Sequence, residues 1–130
     1  IGVPSNPALL AKNKAFIDMG LLDNPEVESS SQVGKFKVPS LRNVAVTGPY
    51  MHNGVFQDLR TVILFYDKYN NPSRKINPET GELWADPEVA ENIDLENLEI
   101  GPALTDQRVD ALVAFLKTLT DQRYEALIKD

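Results

Sequence analysis

The sequence has 130 residues, a length at which a chain can bury one hydrophobic core without disulfides. Hydrophobic residues make up 42% of it and charged residues 25%, a balance typical of globular rather than disordered proteins. The formal net charge of -6 argues against binding to nucleic acid or to anionic lipid, since both require a basic surface. No apolar run is long enough to cross a bilayer. We expect one soluble domain over residues 1–130.

The chain contains no cysteine, which excludes disulfides, thiolate metal sites and a C-x-x-C-H motif for covalent haem attachment. The single histidine, His52, cannot supply the ligands of a zinc site by itself. Neither a glycine-rich phosphate loop nor a serine hydrolase motif is present. The chain begins at Ile1 without a signal-peptide pattern, so we expect any export signal to have been removed or to lie outside the sequence.

The first predicted helix begins at Pro7, because Asn6 and Pro7 precede an apolar run that reaches about residue 17, and Gly20 follows it. Residues 23–37 carry Asn, Pro, Gly and three successive serines, a composition typical of an exposed loop. Residues 36–54 contain two prolines and no regular alternation of apolar residues. This segment is predicted to be irregular but ordered, and to wrap around another part of the molecule.

Asp58 is a suitable N-cap for a second helix over about residues 58–70. Apolar residues recur there at helical spacing, and the face that they share is predicted to pack inward. They are Leu59, Val62, Ile63, Tyr66 and Tyr69. Residues 71–103 follow as a long ordered excursion rich in prolines and acidic residues, which Leu83 and Trp84 are predicted to hold against the core.

Thr105 is the predicted N-cap of a last long helix, which has Lys117 in its final turn. Thr120 is predicted to cap a short tail helix. The acidic residues between positions 79 and 99 are too dispersed for an EF-hand loop and are expected to form a solvated face. Because no strand pattern or internal repeat is present, the chain is predicted to be all-α.

Tyr66 is a candidate for chemistry, because the helical count places its phenol on the predicted inner face. A buried phenol needs a partner, since leaving it without one costs about 1–3 kcal/mol. That partner can be a backbone carbonyl, a carboxylate or a metal ion, and from spacing alone a core tyrosine bonded to the backbone is the commoner case. Tyr69 lies on the same side one turn later and is an equal candidate.

His52 lies in a turn between Met51 and Asn53, where a lone histidine is more often a hydrogen-bonded structural group than a ligand. Met51 could offer a thioether to haem iron, but a methionine in this setting more often fills a gap in a core. The turn at Thr47 to Pro49 could direct backbone carbonyls together toward a hard cation. Taken alone, that signal is weak.

Residues 35–54 read KFKVPSLRNVAVTGPYMHNG and resemble the K-x-P-[ST]-L-R-N-x-x-x-T-x-P-Y-x-H-[DN]-G stretch of the di-haem cytochrome c peroxidase/MauG family. The end of the chain, residues 104–119, is similar to the closing helix of a cytochrome c domain in that family. The resemblance implies a cytochrome c-like haem domain, the C-terminal part of a two-domain di-haem protein with long ordered loops. The attachment motifs of both c-type haems would then lie in the N-terminal portion of the same protein, and this chain alone is not expected to be active.

In this family the second haem takes its distal ligand from the helix after the P-Y-x-H-[DN]-G turn, fourteen positions beyond the histidine. Most peroxidases of the family have Met there and MauG-type enzymes have Tyr. The residue here is Tyr66, with Tyr69 as the fallback. The resemblance also implies that His52 and Arg42 lie around that haem, Arg42 near a propionate. It further implies a calcium ion held in part by two backbone carbonyls, those of Thr47 and Pro49.

The implied function is that of a MauG-type periplasmic oxidoreductase. Such an enzyme uses peroxide or oxygen to oxidise two tryptophans of the methylamine dehydrogenase precursor, its protein partner, and so completes tryptophan tryptophylquinone. A tyrosinate ligand suits this role because it favours oxidised iron, whereas a thioether favours reduced iron. One alternative is a di-haem cytochrome c peroxidase that removes hydrogen peroxide. A second is a haem-free helical interaction module, which the absence of cysteine permits.

Overall fold

A computed structural model describes residues 2–13 and 17–128 of the chain. Its helices are α1 (Pro7–Lys12), α2 (Leu59–Asp67), α3 (Leu95–Leu98) and α4 (Asp106–Lys117). Single 3₁₀ turns lie at Leu21–Asp23, Ser30–Gln32 and Val44–Val46, and a longer 3₁₀ segment covers Gln122–Leu127. Between the helices, the extended segments of the described ranges pair only through isolated bridges, for example between Tyr50 and Phe56. The helix-and-loop class predicted from the sequence is therefore confirmed. None of the helices in the described ranges is long and apolar enough to cross a membrane.

The helices begin where their capping residues predict. The side chains of Asn6, Asp58 and Thr105 each accept a hydrogen bond from a backbone amide two or three residues further on, at 2.9, 2.7 and 3.3 Å. Each cap satisfies one of the amides that a helix start leaves without a partner. These starts could be predicted because a cap and its amide are close neighbours in the sequence.

The helix ends differ from the prediction. In the structure α1 ends at Lys12, and the predicted continuation through residues 14–16 lies outside the described residues. The second helix ends at Asp67 rather than near residue 70, because Asn70 and Asn71 both turn back and donate their amides to the Asp67 carbonyl, at 2.9 and 2.8 Å. The prediction that Thr120 caps the tail is wrong.

The cap of the tail is Asp121, whose carboxylate accepts a hydrogen bond from the Arg123 amide at 3.0 Å. Thr120 is instead buried, with 8% of its surface exposed, where the chain leaves α4. Its neighbour Leu119 accepts a backbone hydrogen bond from Asn43 at 3.0 Å, and Asp121 donates its own amide to the Asn43 side chain at 2.7 Å. Thr120 therefore lies under the segment that precedes the Val44–Val46 turn.

The core is small and aromatic. Phe56 and Phe65 are fully buried, and Trp84 packs edge-on against both rings, with centroid distances of 5.8 and 5.4 Å. The buried positions of α2 include Leu64 and Phe65, while Tyr66 is 41% exposed. The predicted inner face of α2 is therefore correct only in part, because Leu59 is buried and Val62 packs against the core while Tyr66 faces outward. Apolar residues surround most of this helix, so helical spacing could not show which side faces the core.

Trp84 holds the excursion of residues 71–103 against the core as predicted, since its ring packs on Phe56 and Phe65. Its Nε1 also donates a hydrogen bond to the Arg74 carbonyl at 2.7 Å, within the excursion. Leu83 does not, because 68% of its surface is exposed. Its backbone pairs with Ile76 in an isolated bridge. Neighbouring residues of an extended segment point to opposite sides, so one of Leu83 and Trp84 had to face outward.

Asp67 fastens this excursion to α2 and α4. The side chain of Asp67 is completely excluded from solvent, and its Oδ1 accepts a hydrogen bond from the Leu104 amide at 2.8 Å. Its Oδ2 lies 3.1 Å from Nε of Arg74, and Nη2 of Arg74 lies 2.9 Å from Oδ1 of Asp106, in the first turn of α4. Burial lowers the pKa of Arg74, but the hydrogen bonds to Asp67 and Asp106 outweigh it and leave that pKa above its ordinary value. We call these four residues the Asp67 network.

Replacing Asp67 by Asn is expected to lower the free energy of unfolding by about 2 kcal/mol, because Arg74 loses its buried charged partner and keeps only the exposed Asp106. Urea unfolding followed by circular dichroism measures this loss. Asp110→Asn is the matched control, since it removes the partner of Arg60 at 3.0 Å on the surface, where 63% of the Asp110 side chain is exposed. The control should cost less than about 1 kcal/mol. Equal losses in both variants would contradict the special role of Asp67.

Candidate functional site

Tyr66 lines an open pocket of about 550 Å³ bounded by α2, α3 and α4. Most of the exposed pocket surface is apolar, and it includes side chains from each of the three helices and from the segment before α4. They are Ile63, Leu98, Pro102, Leu104 and Leu112. Tyr66, Asp67, Asn70, Asp94 and Asn97 supply its polar groups. A concave, mostly apolar surface of this size with a few polar groups is typical of a binding site for a small molecule or cofactor.

The pocket exists because α2 has two different sides. Phe65 turns into the core, so the next residue, Tyr66, projects away from it together with Ile63, one helical turn earlier. The Asp67 carboxylate holds the Leu104 amide and thereby places the segment before α4 along the pocket wall. Packing of α4 against α2 brings Leu112 to the opposite side.

The Tyr66 phenol is half-covered rather than fully buried, which corrects the prediction of a buried hydroxyl. Burial of the rest of the side chain raises the pKa of Tyr66 above its ordinary value. The phenol is therefore protonated at neutral pH in the chain as described. A metal cation at the phenol oxygen would reverse this preference, because it stabilises the phenolate.

Tyr69 is placed differently, although the sequence makes the two tyrosines equal candidates. Its hydroxyl lies 2.8 Å from the position that a Cβ atom on Gly2 would occupy, and Tyr69 is not among the pocket-lining residues. Burial is the largest cause that raises the pKa of Tyr69, followed by the proximity of Tyr66. Of the two phenols, only that of Tyr66 opens onto the pocket.

Asn70 is a pocket residue that the sequence did not single out. Its Nδ2 donates a hydrogen bond to the Leu98 carbonyl at 2.8 Å and so fixes α3 beside α2. Its Oδ1 is buried and has no hydrogen-bond partner among the described residues. Asp67 was also missed, and the available signal for both was a pair of polar residues at the end of an otherwise apolar helix.

His52 lies in a second cluster, away from the residues that line the Tyr66 pocket. Its ring stacks on Phe36 with a centroid distance of 3.8 Å and an interplanar angle of 13°, and its Nε2 is 3.4 Å from Oε2 of Glu88. Asn53 links this cluster to the start of the chain by donating to the Pro4 carbonyl at 2.8 Å and to Glu88 at 3.2 Å. The structure therefore does not bring His52 and Tyr66 together in one cavity.

Arg42 is exposed and lies in space near Asp121, in the C-terminal segment of the chain. The pKa of Asp121 is lowered first by hydrogen bonds from Arg123 and also by the nearby charge of Arg42. The backbone amide of Arg42 donates to the Ser40 hydroxyl at 3.2 Å. The residue is exposed at the surface.

Thr47 and Pro49 belong to an exposed turn, in which the Gly48–Pro49 peptide bond is cis. The turn is anchored at the Val44 carbonyl, which accepts hydrogen bonds from the hydroxyls of Thr47 at 3.3 Å and of Tyr50 at 3.0 Å. Within the described part of the chain, no group of three or more His, Cys, Asp or Glu side chains is arranged to hold a metal. A cation at this turn would therefore depend on carbonyl oxygens.

The chain is similar to known proteins in sequence and in fold. No protein-family model matches it. It is 65% identical over 116 residues to "Methylamine utilization protein MauG" of Paracoccus denitrificans (strain Pd 1222), a match that covers 88% of this chain and 30% of that protein. It is 44% identical over 64 residues to "Cytochrome-c peroxidase IdrP1" of Pseudomonas sp. (strain SCT), covering 49% of this chain and 16% of that protein. The chain therefore spans less than a third of the length of these relatives.

Two solved structures share the fold and are similar in sequence as well. The diheme peroxidase BthA from Burkholderia thailandensis E264 superposes with a TM-score of 0.70 at 35% identity, covering 99% of this chain and 34% of that one. A MauG-like protein associated with microbial copper homeostasis superposes with a TM-score of 0.55 at 38% identity, covering 87% and 31%. With the sequence matches and the structural likeness in agreement, this chain belongs to the di-haem cytochrome c peroxidase/MauG family.

Proposed function

We propose that this chain supplies, through Tyr66, an axial ligand to one c-type haem of a MauG-type di-haem oxidoreductase. The observation that carries the proposal is the Tyr66 phenol at the edge of the 550 Å³ apolar pocket. Because the chain has no cysteine, the covalent attachment of that haem must come from residues outside it.

The donor set and the lining suit such a cofactor. When bound, a haem supplies one-electron redox chemistry at its iron. Tyr66 would hold the iron through its phenol oxygen, while Ile63, Leu104 and Leu112 would cover the apolar macrocycle and exclude water. The Asp67 network would keep Tyr66 in place, because it fixes the end of α2 immediately beside the ligand.

His52 and Arg42 enter the proposal as residues around the haems rather than as ligands. The imidazole of His52 is already held between Phe36 and Glu88. Arg42 carries an exposed guanidinium on the segment that the resemblance covers, and a guanidinium is suited to pair with a carboxylate such as a propionate.

The choice of a MauG-type reaction rests on the ligand and on the sequence match. A tyrosinate stabilises oxidised iron, as an enzyme that draws electrons from tryptophans requires. The 65% identity to a methylamine utilization protein extends over most of the chain, whereas the 44% identity to a cytochrome-c peroxidase covers half of it. The proposed substrate is thus the methylamine dehydrogenase precursor, in the periplasm, and peroxide removal is the second candidate function.

The MauG-type reaction and peroxide removal can be distinguished by their products. The haem-loaded protein, supplied with hydrogen peroxide and methylamine dehydrogenase precursor, is expected to generate the quinone absorbance and the matching mass change in the precursor. Precursor with peroxide alone is the control. Rapid peroxide consumption with a reduced small cytochrome as donor, without any change in the precursor, would contradict the MauG-type assignment and favour the peroxidase.

We also propose that the carbonyls of Thr47 and Pro49 contribute to a calcium site. Two carbonyls are too few, since Ca²⁺ takes 6–8 oxygen ligands, so water and groups outside this chain would complete the site. The exposed turn at Thr47 to Pro49 leads directly to Tyr50 and, after the His52 turn, to α2.

Removal of calcium by a chelator is expected to alter the absorbance spectrum of the haem that Tyr66 is proposed to ligate before the protein unfolds, because the turn that leads to α2 loses its fixed position. Absorbance and circular dichroism followed in one titration report both events, and added calcium should restore the spectrum. If the spectrum stays the same after metal analysis shows the calcium to be gone, the proposed site is wrong.

A further inference from the structure

Lys68 places a positive charge over three aromatic rings. Its Nζ lies 4.2 Å from the ring centroid of Phe65, 4.9 Å from that of Tyr69 and 5.9 Å from that of Trp84. We call these three rings the aromatic cluster. Distances of this size are within the range of cation–π attraction, which is strengthened where water is excluded.

The aromatic cluster is in contact with the proposed ligand. Phe65 packs edge-on against Tyr66 at 6.2 Å, against Tyr69 at 6.2 Å and against Trp84 at 5.4 Å. The cluster therefore reaches from the Tyr66 pocket to the indole of the single tryptophan of the chain. Indole and phenol are the side chains here that lose an electron most readily, so the cluster is exposed to any strong oxidant formed at that pocket.

The ammonium of Lys68 lies against the rings, and the residue itself is the C-cap of α2. No ion pair among the described residues involves Lys68, and its amide donates to the Leu64 carbonyl at 3.0 Å, which places it at the C-terminus of α2. Helix C-termini stabilise cations. Burial lowers the pKa of Lys68.

Among the described residues, the indole N–H of Trp84 is hydrogen-bonded to a backbone carbonyl and not to a basic side chain. Its Nε1 donates to the Arg74 carbonyl at 2.7 Å, and a carbonyl oxygen accepts a hydrogen bond without removing the proton. When one electron leaves the indole, the ring therefore keeps its N–H and becomes a radical cation. The nearby ammonium repels that new positive charge.

We propose that Lys68 protects the Trp84 indole of the aromatic cluster from one-electron oxidation, so that the oxidising equivalents of the enzyme are used on an external substrate rather than on Trp84. The suppressed step is the transfer of one electron from the Trp84 indole to the oxidant, which is reduced by one electron while no proton is released. The role in catalysis rests on the proposed function. The protection itself does not rest on that function, because Lys68 should slow the oxidation of Trp84 by any one-electron oxidant.

The first test uses an external oxidant. The protein is oxidised by photogenerated tris(bipyridine)ruthenium(III). High ionic strength suppresses electrostatic steering of this cation. The loss of Trp84 is followed by fluorescence and peptide mass spectrometry. Lys68→Met is expected to raise the rate of Trp84 oxidation about two- to fivefold. Lys12→Met, at an exposed position in the last turn of α1, makes the same change in net charge and should leave the rate unchanged.

A conservative variant separates charge from packing. Lys68→Arg keeps a cation over the rings and is expected to be oxidised at the wild-type rate. Circular dichroism verifies that the variants fold, and Lys68→Gln replaces the Met variant if that one does not. The proposal is overturned if the neutral variant is oxidised no faster than wild type, or if the Arg variant is oxidised as fast as the neutral one.

The second test uses peroxide and the haem-loaded protein without external substrate. The oxidised Trp84 peptide should accumulate faster in Lys68→Met than in Lys12→Met. If the ruthenium test succeeds and this difference is absent, Lys68 protects the cluster but the proposed oxidant does not reach it, which counts against the proposed function alone. If the ruthenium test fails, the protection itself is disproved.

Discussion

The buried contact between the Asp67 carboxylate and the Arg74 guanidinium is the constraint on which the rest of the structure depends. It joins the end of α2, the long excursion and the first turn of α4. A buried carboxylate is costly unless it is paired and hydrogen-bonded, and here both oxygens of Asp67 are used. The cost of separating the partners ties the position of α4 to that of α2.

This constraint sets the geometry of the candidate site. Tyr66 immediately precedes Asp67, and Phe65 precedes Tyr66, so three successive residues of α2 serve the core, the pocket and the network. The Leu104 amide, held by Asp67, brings the segment before α4 to the pocket wall beside the phenol. The ammonium of Lys68 then lies over the Phe65 ring of the aromatic cluster. Four consecutive positions thus combine packing, a candidate ligand, an anchor and a fixed charge.

Features that depend on neighbouring residues could be predicted from the sequence. The caps at Asn6, Asp58 and Thr105 are local, and the family resemblance over residues 35–54 is a continuous string, so both were accessible. The face of α2 that points inward was not, because it is decided by Trp84 and Phe56, which reach the helix only after the chain has folded. The same reason explains why the partners of Asp67 were missed.

The distinction between Tyr66 and Tyr69 also required the fold, because the two lie on the same side of α2 by helical count. The haem absorbance spectrum of the haem-loaded Tyr66→Phe and Tyr69→Phe variants tests the Tyr66 assignment most directly. The Tyr66 variant is expected to lose the spectrum of a tyrosinate-ligated haem, while the Tyr69 variant keeps it. An unchanged spectrum in Tyr66→Phe, or its loss in Tyr69→Phe alone, would contradict the assignment.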